Sequence, residues 1–374
     1  MRIALVHSFY NARLPSGENR VVEDQAKVLR DAGHDVLLVR QDTSGLEGGL
    51  YPLRTALNVA LRTGFDPVPQ LTDFHPDVVH VHNLFPNISS RWLTQWEGPI
   101  VASLHNYRLT CSNGLFFRDG RICTDCAEQG SAKALRHACY RNSRLATLPL
   151  AVSRQRTRDD FANVSVFVTT SELSNEVVHK YINDSFRTVV IPNFGSEDAL
   201  VEREVPEAAT WVAAGRLTPE KGFAELLRSW PTGEPLLIIG DGPDRLDIEG
   251  AANRKGVEVR SSMLRDDFRS LLAASQGLVF PSRWFEADPQ VVVEAMSLGV
   301  PTVAFHVNAI APIVLKSGAG AVYSSERDLG AALASVRLNR ASMSKAAQSE
   351  FSRRWTKELW LERMTNLYEQ VSRE

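Results

Sequence analysis

The sequence predicts an α/β protein built from two successive doubly wound parallel-sheet domains. Its 374 residues correspond to two domains at about 150 residues each. Short apolar runs, each followed by a polar loop and an amphipathic stretch, recur along the chain in the pattern of βαβ units. The series is interrupted by the turn signal Pro192-Asn193 and an acidic stretch over residues 196–207. It then starts again, which indicates two α/β halves of similar size.

The first half alternates predicted strands with predicted helices. Residues 3–6 form an apolar run, residues 11–19 a polar stretch, and residues 21–32 carry apolar side chains at steps of three and four, as one face of a helix does. Gly33 can end that helix. This half is the predicted N-terminal domain, residues 1–193, with a cysteine-containing insertion at about residues 108–145. Later apolar runs predict strands at residues 36–39, 78–82, 100–104, 164–169 and 189–191.

The second half, residues 194–354, repeats the same alternation and is the predicted second domain. The predicted strands are at residues 212–214, 236–239, 278–280 and 302–305, and the predicted helices are at residues 223–230 and 290–298. The final segment, at about residues 355–374, has an amphipathic pattern. We expect it to form a helix that completes the first domain. Its apolar positions are Leu359, Trp360, Met364, Leu367 and Tyr368.

The composition and charge exclude several classes of protein. The 44 acidic residues nearly balance the 42 basic ones and leave a formal charge of −2, whereas a general nucleic-acid binder carries a large basic excess. No apolar run reaches the roughly 18 residues of a membrane-spanning helix. The first apolar run turns polar at His7, too early for a signal peptide, and four cysteines are too few for a disulfide scaffold. These features predict a cytoplasmic protein.

The loops that follow predicted strands are the candidate sites, because open parallel sheets bind ligands beyond the carboxyl ends of their strands. Two such sheets facing each other would place a cleft between these loops. After the first strand, the loop Pro15-Ser16-Gly17-Glu18 opens a helix. Gly17 would let a ligand approach the backbone and the free N–H groups of the helix N-terminus. An ordinary strand-to-helix turn is the alternative interpretation.

Two segments of the second half bring charged residues to such loops. Arg216 and Lys221 lie in a glycine-flanked loop after a predicted strand, and a guanidinium fork with an ammonium charge suits a diphosphate. Glu286 and Glu294 flank the predicted helix start at Pro289. Free N–H groups between them could bind phosphate while the carboxylates accept hydrogen bonds from hydroxyls. A polyol joined to a diphosphate fits both segments, and solvated surface charges are the alternative.

One further candidate, His105, closes the predicted strand over residues 100–104. A histidine at this end of a strand can donate a hydrogen bond to a substrate or balance its charge. A purely structural histidine is the alternative.

A set of short motifs extends over almost the whole chain. In order they are Pro15-Ser16-Gly17, Asp77-Val78-Val79-His80-Val81-His82, Ser103-Leu104-His105-Asn106, Ile191-Pro192-Asn193, Gly215-Arg216-Leu217 with Glu220-Lys221-Gly222, Gly240-Asp241-Gly242-Pro243, and the pair of Glu286 and Glu294. The ordered set resembles glycosyltransferases of the GT-B fold, in the large retaining family 4. This resemblance implies two Rossmann-like domains that face each other across a cleft.

The resemblance also implies roles for individual residues. Arg216 and Lys221 would bind the donor diphosphate and stabilise its growing negative charge, so no catalytic metal is expected. Glu286 would contact hydroxyl groups of the transferred sugar, and Glu294 the ribose of the nucleotide. Pro289 has no backbone N–H, which reduces the amides available to the diphosphate. The implied catalytic residues are His105 and Glu286, and the implied donor-binding residues are Gly17, Arg216, Lys221, Asp288, Gln290 and Glu294.

The function implied by the resemblance is that of a hexosyltransferase-type enzyme. It would move a sugar, with retention of configuration, from a UDP- or GDP-sugar to a glycan or lipid-linked acceptor in cell-surface or exopolysaccharide biosynthesis. A protein that binds nucleotide-sugar without turnover and a nucleotide-sugar epimerase on the same scaffold are the alternatives. The run Gly240-Asp241-Gly242-Pro243-Asp244-Arg245 lacks the third glycine of the dinucleotide fingerprint, which disfavours a nicotinamide oxidoreductase.

The cysteines are confined to residues 111–139. A C-x2-C pair with one further cysteine on each side suits a tetrahedral structural zinc ion, with no position open to substrate. Four reduced thiols in a packed insertion are the alternative, because a reducing compartment disfavours disulfides. The four residues are Cys111, Cys123, Cys126 and Cys139.

Residues 133–158 carry seven Lys or Arg residues and no Asp or Glu. Leu145, Leu148, Leu150 and Val152 would supply apolar surface beside these charges. This composition predicts that the segment contacts the anionic inner face of the cell membrane, where a lipid-linked acceptor would be found. A basic helix face exposed to solvent is the alternative.

Overall fold

The chain forms two compact units, each with its own parallel sheet. The computed structural model describes residues 1–9, 17–43, 51–196 and 209–374. Each unit contains one six-stranded sheet with helices, which confirms the predicted α/β class with two doubly wound parallel sheets. The first unit comprises Met1–Phe116, Cys123–Ile191 and Trp360–Glu374, and the second comprises Phe117–Ile122 and Pro192–Leu359.

The described residues form strands and helices in the following order. The strands are β1 (Arg2–Phe9), β2 (Asp35–Asp42), β3 (Val78–Val81), β4 (Ile100–Ser103), β5 (Phe117–Arg118), β6 (Arg121–Ile122), β7 (Val166–Thr169), β8 (Thr188–Val190), β9 (Trp211–Ala214), β10 (Leu236–Ile239), β11 (Glu258–Arg260), β12 (Leu278–Phe280), β13 (Thr302–Phe305) and β14 (Gly320–Tyr323). The helices are α1 (Gly17–Asp31), α2 (Tyr51–Leu61), α3 (Val68–Phe74), α4 (Asp125–Gln129), α5 (Ala132–Arg136), α6 (Arg144–Asp160), α7 (Glu172–Tyr181), α8 (Phe223–Ser229), α9 (Arg245–Asn253), α10 (Arg265–Ala273), α11 (Gln290–Ser297), α12 (Ile310–Ser317), α13 (Glu326–Arg354) and α14 (Lys357–Val371).

The first sheet has the strand order β2-β1-β3-β4-β7-β8, with all neighbours parallel. Its central strands are buried on both faces because helices cover both sides of a doubly wound sheet. The winding direction reverses between β1 and β3. The carboxyl ends of these two strands therefore flank the topological switch point, where open sheets bind ligands.

The second sheet has the order β11-β10-β9-β12-β13-β14, and its winding direction reverses between β9 and β12. Trp211 and Ala213 of β9 pack into one hydrophobic cluster, and Val212 packs into the cluster on the opposite face. This alternation follows from the two-residue period of a strand. Beyond Ala214, the carboxyl end of β9 leads into the polar loop that carries Arg216.

The glycines after β10 permit close contact between two loops of the second unit. A Cβ atom on Gly240 would collide with the carbonyl oxygen of Gly215, and one on Gly242 with that of Leu217. Leu217 N donates to Asp241 O at 2.9 Å, which joins the loop after β9 to the loop after β10. The Gly-Asp-Gly motif thus supports the loop that carries Arg216.

The last helix, α14, packs on the sheet of the first unit. Tyr368 is fully buried, with its hydroxyl 2.6 Å from His80 Nδ1, and Ser372 Oγ donates to Asp77 O at 3.3 Å. The helix begins at Lys357 because Trp355, with φ −123° and ψ 20°, ends α13. Within the described ranges, every helix is too short or too polar to cross a membrane.

Candidate functional site

The loops that follow β9 and β12 form the candidate site of the second unit, because these strands flank its switch point. Arg216 is exposed two residues beyond β9, and Lys221 ends a short 3₁₀ turn in the same loop. Arg283 N, after β12, donates to Glu220 O at 2.8 Å. This backbone contact ties the two loops together.

The structure brings Lys221 and Glu286 into direct contact. Lys221 Nζ forms an ion pair with Glu286 Oε1, and the two side chains are only 20% and 12% exposed. The other carboxylate oxygen, Oε2, accepts hydrogen bonds from Ser282 Oγ at 2.5 Å and from Trp284 Nε1 at 3.2 Å. Sequence reasoning put both charges in ligand-binding loops but missed that they neutralise each other.

Glu294 lies in the second turn of α11 and is bound by two arginines of α10. Its Oε1 accepts from Arg265 Nε at 3.0 Å and from Arg269 Nη1 at 3.3 Å. The two arginines are four residues apart and therefore share one face of α10. The apolar neighbours of Glu294 in the sequence indicated that it needs partners, whereas the packing of α10 against α11 decides which ones.

Asp288 is held between Asn193 and Gln290. Its Oδ2 accepts from Asn193 Nδ2 at 2.6 Å and from Gln290 Nε2 at 3.0 Å. Burial raises the pKa of Asp288 to about 7, although the hydrogen bonds from Asn193 and Gln290 act in the opposite direction. Asn193 belongs to the Ile191-Pro192-Asn193 motif, 95 residues earlier in the chain. The sequence analysis missed this contact, which gives that motif a role in positioning Asp288.

Four histidines cluster at the carboxyl ends of β1, β3 and β4 in the first unit. His7 lies on β1 and His80 on β3, and His82 and His105 follow β3 and β4. His82 Nδ1 is 3.0 Å from His105 Nε2, and the two rings stack with their centroids 5.3 Å apart. The structure therefore surrounds the predicted site residue His105 with further imidazoles beside the switch point of the first sheet.

Burial keeps these histidines uncharged at neutral pH. It lowers the pKa of His7 to about 4 and the pKa values of His80 and His105 to about 3. Burial, reinforced by the three neighbouring imidazoles, holds the pKa of His82 well below its ordinary value. Sequence reasoning singled out His105 alone. The signal it missed was His80-Val81-His82, in which alternate residues point to one face.

Gly17 begins α1, directly after the predicted phosphate loop. Pro15 and Ser16 of that loop lie outside the described residues. A Cβ atom on Gly17 would meet no atom within 4 Å. Contacts within the described part of the chain therefore do not require glycine at this position.

A pocket of the first unit adjoins the histidine cluster. Its volume is about 120 Å³, and its lining includes His82 and His105 together with residues of α2 and α6, so we name it the α2/α6 pocket. The sequence predicts Leu150 on the exposed apolar surface, but it is buried and lines this pocket. It lies on the side of α6 opposite to the exposed Leu148, because the two residues are two positions apart in the helix. The charged residues among the lining are Arg62, Arg108 and Arg154.

The four cysteines belong to the first unit and form no disulfide bond. Burial raises the pKa of the Cys126 thiol to about 11, and the like charges of Cys111, Cys139 and Cys123 act in the same direction. Across the described ranges, no three His, Cys, Asp or Glu side chains are arranged to hold a metal ion. The zinc site stays a prediction.

Comparison with known families matches both halves of the chain. Residues 15–194 match the model described as Glycosyltransferase Family 4, and residues 208–338 match the model described as Glycosyl transferases group 1. These matches, with two doubly wound parallel sheets, define a glycosyltransferase of the GT-B class. The chain belongs to the GT-B glycosyltransferases, as the ordered motifs predicted.

Solved structures share this fold over nearly the whole chain. Sucrose-phosphate synthase from Thermosynechococcus elongatus superposes with a TM-score of 0.73 at 16% identity, covering 99% of this chain and 98% of that one. Anabaena Alr3699/HepE in complex with UDP gives 0.64 at 16% identity, covering 99% and 100%. WaaG, a glycosyltransferase involved in lipopolysaccharide biosynthesis, gives 0.63 at 16% identity, covering 96% and 98%.

A curated relative aligns with part of the chain. The amylovoran biosynthesis glycosyltransferase AmsD of Erwinia amylovora is 29% identical over 99 residues, which are 25% of this chain. The alignment spans 28% of that relative's length.

The buried histidines predict that the protein loses stability as the pH falls below about 6.5. Unfolded histidines take up protons near that pH, whereas folded His7 and His105 stay neutral down to about pH 4 and about pH 3. Because the unfolded state binds more protons in this window, the free energy of unfolding falls with pH for each such histidine, with a slope that approaches a limit of about 1.4 kcal/mol per pH unit once the unfolded histidine is fully protonated. Asp288 has a pKa of about 7 in the folded protein, so it takes up a proton in the folded state first and opposes this loss of stability. It is one group against several histidines.

Urea denaturation between about pH 7.5 and about pH 5.5 measures this slope. His80→Gln removes one of the buried histidines and should reduce the fall in the free energy of unfolding across this whole pH range by about 1.4 kcal/mol. His137→Gln, at an exposed histidine, is the matched control. Equal slopes in wild type and His80→Gln would contradict a buried, neutral His80.

Proposed function

We propose that the protein transfers a sugar from a nucleoside-diphosphate sugar to a glycan or lipid-linked acceptor, with retention of the anomeric configuration. The observation that carries this proposal is the meeting of Lys221 and Glu286 at the switch point of the second sheet. A diphosphate requires cations, and a sugar requires oxygen atoms that accept hydrogen bonds from its hydroxyls. The loops after β9 and β12 supply both.

Departure of the nucleoside diphosphate is the step that Arg216 and Lys221 would assist. Negative charge accumulates on the diphosphate as the glycosidic bond breaks, and two fixed cations stabilise it electrostatically. The exposed Arg216 is accessible to a ligand, and Lys221 would share its charge between the diphosphate and Glu286. Glu286 would then accept hydrogen bonds from the transferred sugar. We therefore expect no requirement for a catalytic metal ion.

Glu294 would bind the ribose of the donor. Arg265 and Arg269 hold its Oε1, so the carboxylate has a defined position. Gln290 begins α11, and the backbone N–H groups at that helix N-terminus favour a phosphate nearby. Asp288, fixed by Asn193, would orient the loop between the two glutamates.

The relatives favour a uridine nucleotide and a role in polysaccharide assembly. The Anabaena structure contains UDP, and the Erwinia relative is named for amylovoran biosynthesis. We therefore propose a UDP-sugar donor, ahead of a GDP-sugar, and a role in building a cell-surface or secreted polysaccharide.

Lys221→Ala and Glu294→Ala are each expected to lower sugar transfer and donor hydrolysis by about a hundredfold or more, because each removes a charged contact in a preorganised site. The measurement is release of nucleoside diphosphate from UDP-sugars and GDP-sugars, with and without added glycan acceptors. Lys316→Ala, at an exposed lysine of α12, is the matched control and should retain activity.

Wild-type turnover in both Lys221→Ala and Glu294→Ala would refute the assigned site. Tight nucleotide-sugar binding without turnover on any acceptor would identify a binding protein instead. Conversion of the donor sugar into its epimer, with no transfer, would identify an epimerase.

We also propose that α2 and α6 dock the protein on an anionic membrane surface, at the inner face of the cell membrane. Among the described residues, ten large hydrophobic side chains are exposed, and six of them lie on these two helices, which pack together. Exposed basic residues of α6, such as Arg144 and Arg156, would each add about 1 kcal/mol near anionic lipid. The six side chains are Leu53, Leu57, Leu61, Leu145, Leu148 and Val152.

The double variant Leu57→Ser and Leu145→Ser should bind phosphatidylglycerol vesicles about tenfold or more weakly, because it removes apolar surface that would enter the interface. Co-sedimentation with vesicles measures the binding. Leu246→Ser with Leu338→Ser, at exposed leucines of the second unit, is the matched control. Equal losses in the two double variants, or equal binding of wild type to phosphatidylcholine vesicles, would contradict the docking surface.

We propose that the four cysteines hold a structural zinc ion. The C-x2-C pair and the two flanking cysteines supply four soft ligands within one segment of the first unit. Freshly purified protein should contain about one zinc ion per chain, and Cys126→Ser should lose both the metal and thermal stability. Zinc and iron contents far below one per chain in the wild type would rule the site out.

A further inference from the structure

We propose that the α2/α6 pocket binds the phosphate-bearing head group of an amphiphilic acceptor, with Arg108 as its principal binding residue. This inference rests on the proposed transfer to a lipid-linked acceptor and names the chemical group by which that acceptor is held. The charge of the lining, its unpartnered polar atoms and the location of its two helices each support it.

The lining of the pocket is positively charged. Arg62, Arg108 and Arg154 line it, and the described lining contains no aspartate or glutamate. Arg62 is balanced by an ion pair with Asp160 behind it. Arg108 and Arg154 have no carboxylate partner among the described residues, and Arg154 Nη1 donates to the carbonyl oxygen of Cys126 at 2.6 Å. An anion is the ligand that this charge favours.

Arg108 is held in a position from which its guanidinium group can bind a phosphate. Its Nη1 donates to the carbonyl oxygen of Ser112 at 2.9 Å, and its guanidinium carbon lies 4.4 Å from the centre of the Phe85 ring. These contacts orient the planar fork and leave other N–H groups available. A fork of this kind matches the oxygen geometry of a phosphate.

Three lining residues each carry a buried polar atom that has no hydrogen-bond partner within the described residues. These atoms are Arg62 Nε, Arg108 Nε and His82 Nε2. Buried polar atoms in folded proteins are normally hydrogen-bonded, so an unpartnered group points to a ligand or to water. A phosphate oxygen accepts from the arginine N–H groups, and the neutral His82 either donates or accepts according to its tautomer.

The lining also includes apolar side chains, and the two helices of the pocket carry the exposed leucines on their outer surfaces. A ligand with a charged head and an apolar chain matches the two features of this region, a cationic pocket lining and exposed leucines on the same two helices. The lining residues His82 and His105 connect the pocket to the histidine cluster. The apolar lining includes Leu84, Phe85, Leu104, Leu109, Leu150 and Phe161.

The test measures binding of geranyl diphosphate, inorganic diphosphate and geraniol by calorimetry, without any nucleotide-sugar. Geranyl diphosphate should bind most tightly, and Arg108→Gln should weaken it by about tenfold or more, because a charge-assisted hydrogen bond is lost. Arg91→Gln, at an exposed arginine of the same unit outside the pocket, controls for net charge and should bind as wild type does. Arg108→Lys keeps the charge without the fork and should bind with intermediate affinity.

Each other outcome overturns the proposal. Inorganic diphosphate binding as tightly as geranyl diphosphate would show a simple anion site, and geraniol binding as tightly would exclude phosphate recognition. Loss of binding in Lys221→Ala but not in Arg108→Gln would place the ligand in the second unit. Undetectable binding to a wild type whose thermal unfolding is cooperative would also overturn it.

The two proposals fail separately. If Arg108 controls geranyl diphosphate binding while no nucleotide-sugar is turned over, the pocket assignment stands and the transferase proposal fails. If turnover occurs and depends on Lys221 while geranyl diphosphate binding is indifferent to Arg108, the transferase proposal stands and the pocket assignment fails.

Discussion

The reversal of winding direction within each parallel sheet is the constraint on which both candidate regions depend. Connections on the two sides of β9 and β12 run in opposite directions, so the loops beyond these strands diverge and leave space for a ligand. Arg216 and Lys221 occupy one of these loops and Glu286 the other. In the first unit the corresponding strands are β1 and β3. His7 lies on β1, and His82 directly follows β3. The polar candidate residues lie at these two places because helices cover the faces of each sheet.

Opposite charges in the second unit compensate each other. A half-buried charge without a partner is costly, which accounts for the pairing of Lys221 with Glu286 and of Glu294 with two arginines of α10. The same pairing keeps each side chain in a defined position. The proposed donor, which presents both phosphate and hydroxyl groups, would bind there by sharing contacts that already exist, so little reorganisation would be required.

In the first unit, α2 and α6 carry exposed apolar side chains on one side, and the pocket lies on the other side. The outer side of α6 carries exposed leucines, whereas Leu150 and Arg154 line the pocket beneath it. α2 does the same, with Leu57 outside and Arg62, directly after the helix, on the pocket side. An amphipathic helix therefore serves two environments at once, because successive side chains point about 100° apart around its axis.

The sequence by itself determined the α/β class, the two-sheet organisation and the loops that carry Arg216, Lys221 and Glu286, because apolar periodicity and glycine-flanked turns are local properties of the chain. The tertiary structure alone decided which groups meet. Asn193 reaches Asp288 across 95 residues, and α10 supplies the arginines of Glu294. It also decided which side of α6 faces water. Periodicity defines the faces of a helix, but the neighbours that pack against it determine which face is buried.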